Sequence, residues 1–108
     1  MKLYKCSVCG LVREQDSGSC PKCGAPEDKF NQLSAEEAEK IYNSDRTNDI
    51  HMQIIGHAME IVRLAEEGIK INLDPGCLSD FNKAKDEAWI IKQRSKAEIA
   101  THQGKGKW

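Results

Sequence analysis

Cys6-Ser-Val-Cys9-Gly10 and Cys20-Pro-Lys-Cys23-Gly24 are two Cys-x-x-Cys-Gly turns separated by ten residues, and their reading decides the fold. Two residues between paired cysteines is the spacing at which a tight turn aims both sulfurs at one point, with the next backbone N–H groups pointing back at them. Glycine directly after Cys9 and Cys23 suits such a turn, because the chain there is commonly pushed to positive φ. A single Cys-x-x-Cys can serve as a redox dithiol. Its repetition with glycine at matching positions points to a tetrathiolate site, with Cys6, Cys9, Cys20 and Cys23 as ligands to one metal ion.

Working outward, Leu3-Tyr-Lys5 and Leu11-Val12 predict two short antiparallel arms around the first turn. Leu3, Tyr4, Leu11, Val12 and Phe30 make too small a core to offset chain entropy, so metal binding must supply most of this segment's folding free energy. Asp16-Ser-Gly-Ser19 returns the chain to the second pair of ligands, and Pro21 and Pro26 stiffen the loop there.

Tyr4-Lys-Cys-Ser-Val-Cys-Gly-Leu-Val12, followed by Cys20-Pro-Lys-Cys-Gly-Ala-Pro-Glu-Asp-Lys-Phe30, resembles the small rubredoxin-like domain of rubrerythrins over roughly the first 33 residues. The resemblance implies that Cys6, Cys9, Cys20 and Cys23 hold one iron that shuttles a single electron, with Tyr4 and Phe30 packed beside it. It ends at Leu33. Rubrerythrins carry a four-helix bundle with paired Glu-x-x-His motifs for two irons, and no Glu-x-x-His occurs in this sequence. The metal domain also usually follows that bundle, whereas here it comes first.

The 108 residues are 31% charged with a net charge of −1, which fits one small domain or a module joined to a second. Lysine and arginine are spread along the chain apart from Lys105-Gly-Lys107, so nucleic acid is not an expected partner. No stretch has the apolar length of a signal peptide or a membrane span, and the expected location is cytoplasmic. In that reducing compartment four cysteines read as ligands and the fifth, Cys77, as a small, partly buried apolar residue beside a helix start.

Beyond Leu33 the chain predicts about three helices. Ser34-Ala-Glu-Glu37 is a capping box that starts the first, over about 35–44. The cap formers in Asn43-Ser-Asp-Arg-Thr-Asn48 predict a break, and a second helix over about 48–67 is capped near Thr47. Its apolar stripe is Ile54, Ile55, Ala58, Ile61, Val62 and Ala65, its polar stripe holds His57 and Glu60 as a solvated pair, and Gly68 closes it. A loop through Asp74-Pro-Gly76 leads to a third helix, from Leu78 or Ser79 to about Thr101, with Phe81, Ala84, Ala88, Ile91, Ser95 and Ile99 on one face.

The expected fold is therefore a small α+β arrangement: a rubredoxin-like or zinc-ribbon knuckle over 1–33, a helical domain over 34–103 and a disordered tail over 104–108. No nucleophile–base arrangement, phosphate-binding loop or acid–base carboxylate pair is legible, so an enzyme is not expected. The expected function is one-electron transfer at an Fe(Cys)4 centre, with a redox partner or a second copy engaged through the helices. The alternative is a structural zinc adaptor, because tetrathiolates accept either ion.

Overall fold

The computed structural model describes residues 2–108. The chain divides into two compact units, one ending at Asn43 and the other running from Ser44 to Trp108.

In the first unit, β1 (Tyr4–Cys6), β2 (Val12–Arg13) and β3 (Phe30–Gln32) form an antiparallel sheet in the order β2-β1-β3. Tyr4 pairs with Arg13 on one side and Gln32 on the other, while Cys6 lies opposite Phe30. The sequence pattern anticipated the two arms but not β3. Phe30-Asn-Gln lacks strand alternation, and its pairing is set up by a 3-10 turn over Glu27–Lys29 that returns the chain to β1. Leu3, Cys6, Cys20 and Ala38 are its buried apolar residues. The capping box forms as expected: Glu37 N–H donates to Ser34 Oγ at 3.1 Å and Ser34 N–H to Glu37 Oε2 at 2.8 Å.

Two helices follow, not about three: α1 (Ala35–Ile71) and α2 (Pro75–Gly104). The break expected at 43–48 does not occur, since its cap formers are used sideways. Ser44 and Asn48 are buried four residues apart on one face of α1. Asn48 donates to the Lys107 carbonyl at 2.9 Å, and its Oδ1 lies 2.6 Å from His102 Nδ1, so the side chain meets another segment and does not compete for its own backbone.

Gly68 is no C-cap either. A Cβ there would lie 2.5 Å from two ring carbons of Phe81, so the glycine is where the helices approach closely. Helix α1 continues to Ile71, and Asn72, at φ 48°, takes the left-handed capping position. The expected long loop shrinks to three residues, because Asp74 is the N-cap of α2, accepting from Cys77 N–H at 2.7 Å, and Pro75 sits at the first helical position. Contacts of Asn48 with His102, His51 with Ser95, and Glu66 with Lys85 show that α1 and α2 run antiparallel within the second unit. Ala58, Val62 and Ala88 are buried between them with Ile91 packed alongside. No helix among the described residues is long and apolar enough to cross a membrane.

Candidate metal centre

The two knuckles are built alike. Gly10 N–H donates to the Cys6 carbonyl and Gly24 N–H to the Cys20 carbonyl, each at 2.9 Å. Cys6 N–H reaches Leu11 O at 2.9 Å, and Cys20 N–H reaches Ala25 O at 2.8 Å. Both glycines have positive φ, 84° at Gly10 and 75° at Gly24, which a side chain would strain. The ten residues between the knuckles are fixed by Arg13. Its guanidinium donates to the carbonyls of Gly18 at 2.6 Å and Ser19 at 3.1 Å, and its Cζ lies 3.6 Å from the centre of the Phe30 ring. Glu27 closes the same loop by accepting from Gly18 N–H at 3.0 Å.

This geometry brings Cys6, Cys9, Cys20 and Cys23 together, their sulfurs all within 4.8 Å of one another. Cys6 and Cys23 sulfurs are 3.7 Å apart, and those of Cys9 and Cys20 are 3.5 Å apart. A tetrahedral ion with metal–sulfur bonds of about 2.3 Å has sulfur–sulfur edges of about 3.8 Å. The four cysteines are thus positioned to bind one iron or zinc ion. Among the described residues no other group of three or more histidines, cysteines or acids is clustered this way. His57 is exposed, and Glu60 pairs instead with Arg63, Nη2 to Oε1 at 2.5 Å.

The first cysteine of each knuckle is buried, Cys6 at 1% and Cys20 at 3% exposure, whereas Cys23 is exposed and Cys9 half-buried. Backbone N–H groups act unequally on them. The Cys23 N–H, followed by that of Lys22, holds the Cys20 thiol down to about 6, and the Cys9 and Val8 N–H groups lower Cys6 in the same way. At Cys23 the Ala25 N–H also lowers the thiol, but partial desolvation of its sulfur and hydrogen bonding to the three neighbouring sulfurs outweigh it and push it up to about 11. Two sulfurs therefore favour the thiolate form that a metal requires, and an ion's charge displaces the proton that the neighbouring sulfurs hold on the third. Cys77 stands apart in the second unit, half-buried, its thiol raised by Asp74 and by burial.

Tyr4 and Phe30 flank the site as half-buried strand residues, Phe30 directly opposite Cys6. Arg13 was not singled out from sequence. Its signal was a lone cation closing an apolar arm, two residues beyond Leu11, and the ring it meets, Phe30, is brought near only by the pairing of β3 with β1.

Residues 4–31 match the family described as the rubrerythrin, rubredoxin-like domain. The remainder of the chain matches no family. No curated protein and no solved structure matches the chain.

Proposed function

We propose that the protein is a one-electron carrier with a single iron held by Cys6, Cys9, Cys20 and Cys23, passing electrons to and from a partner protein docked through its helices. The observation that carries this reading is the match of residues 4–31 to a rubredoxin-like domain, coincident with four sulfurs at tetrahedral spacing. Iron in such a cage supplies a ferric/ferrous couple with little change of shape between the two states. The chain's own residues do the rest. N–H groups of Val8, Cys9, Lys22 and Cys23 point at the two buried sulfurs and offset the extra negative charge of the ferrous form, which raises the potential. Cys9 and Cys23 are the more exposed ligands, beside Val8 at 63% exposure, so the metal lies near the surface of its own unit.

Voltammetry of the iron-loaded chain tests this. A reversible one-electron couple that is absent from the zinc-loaded chain is the expected result. An iron form with no reversible couple would leave the structural zinc adaptor in its place.

A further inference from the structure

We infer that α1 carries a second packing seam and that a second copy of this chain covers it, the two α1 helices running antiparallel about a two-fold axis. The seam facing α2 follows alternating three- and four-residue steps through His51, Ile55, Ala58, Val62 and Ala65. One residue earlier at every step runs another row, Ile50, Ile54, His57, Ile61 and Leu64. It lies on the neighbouring face, turned by about 100°. Its aliphatic members are 40, 38, 41 and 52% exposed in chain order. Single exposed apolar residues need no partner, but a continuous row along four turns marks an interface.

Two observations select a second copy as its occupant. The first is the thinness of the hairpin's own core: its buried apolar side chains are Ala58, Val62, Ala65 and Ala88, its larger Ile55, Phe81 and Ile91 are only half-buried, and Ser44, Asn48, Lys92 and Ser95 are buried polar residues. Helices owe most of their stability to packing of an apolar face, and three alanines and a valine bury little, so the isoleucine row must also be covered. The second is charge. The outer flank of the row reads Arg46, Gln53, Glu60 and Glu67 at seven-residue steps. Parallel two-fold pairing would set this flank against the opposite flank of the second copy, the side that already faces α2, and leave Arg46, Glu60 and Glu67 without complementary partners of their own row. Antiparallel pairing sets Arg46 beside Glu67 of the second copy and Gln53 beside Glu60, each twice. A row with aliphatic residues on both sides of a central His57 is also self-complementary, as a two-fold interface requires. The result is a four-helix arrangement of two hairpins, whatever ion the cysteines hold.

Sedimentation equilibrium of the full, metal-loaded chain should give twice the 12.1 kDa of one chain. Because Ile54 and Ile61 are already at the surface of one hairpin, the double substitution Ile54→Glu, Ile61→Glu should keep the helical circular dichroism and raise the dissociation constant on the order of 100-fold or more. Arg46→Glu should weaken the dimer several-fold, and Arg46→Glu combined with Glu67→Arg should restore it. A single-chain mass at about 100 μM, or a dimer untouched by the two glutamates, would overturn the seam. A dimer of unchanged strength in Arg46→Glu would overturn the antiparallel pairing.

Discussion

The knuckle unit and the helical hairpin reach order by opposite routes. Around the cysteines the order is local: each knuckle closes within six residues through its own backbone hydrogen bonds, and four sulfurs then converge on one point. In the hairpin almost nothing is decided locally. Asn48 meets His102 across 54 positions, His51 meets Ser95 across 44, and Gly68 is shaped by a ring thirteen residues away. One unit concentrates its stabilisation in a few bonds to an ion, and the other spreads it over a long, thin seam.

The largest effect that separates them is metal removal. Binding in such sites contributes on the order of 10 kcal/mol, more than a sheet of this size can recover from burial. Stripping the metal with a chelator, or replacing the buried ligand in Cys20→Ser, should collapse the amide dispersion of Leu11 and Phe30 while most helical circular dichroism remains. Dispersed Leu11 and Phe30 peaks in metal-free protein would erase the contrast.

A smaller effect probes the hairpin at its closest approach. Gly68→Ala gains about 1 kcal/mol of helix preference, yet it drives a Cβ into the Phe81 ring, and overpacking of this kind costs about 1–3 kcal/mol. The expected outcome is a lower melting temperature for the helical signal, recovered when Phe81→Leu is added. A melting temperature raised by Gly68→Ala alone would show that the seam is looser than this packing implies.

These same positions explain what was legible in the sequence. Cys6, Cys9, Cys20, Cys23 and the Ser34–Glu37 capping box could be read because spacing along the chain is spacing in space for turns and helix starts. Ser44, Asn48 and Gly68 misled, since each is a helix breaker by local preference; Asn48 and Gly68 are overridden by residues far along the chain, and Ser44 is buried on the same face as Asn48. Asp74-Pro-Gly76 read as a turn when it was a helix start, because an N-cap followed by proline uses the same residue types. Lys92, buried with its Nζ 3.5 Å from the centre of the Trp89 ring, carried no periodic signal at all. The apolar residues of α1 read as one wide stripe, and the structure resolves them into a buried row through Ala58, Val62 and Ala65 and an exposed one through Ile54 and Ile61.

The smallest effect lies at the link between the helices. Cys77 N–H, donating to Asp74 Oδ1, holds that carboxyl below its ordinary value of 3.8. A carboxyl depressed in the folded state adds stability that is present in full above its unfolded value and is lost as pH falls through the folded one. Helical melting should therefore drop below about pH 4. In Asp74→Asn, which keeps a capping oxygen, neutral-pH melting should be nearly unchanged and this contribution to the acid slope should disappear. An acid slope identical in both proteins would assign it elsewhere.

Whether the knuckle unit holds an electron-carrying iron is decided by metal analysis of the protein purified from its native source. One iron per chain, removable only with loss of the Leu11 and Phe30 signals, is the expected result. One zinc per chain, with no iron, would contradict it.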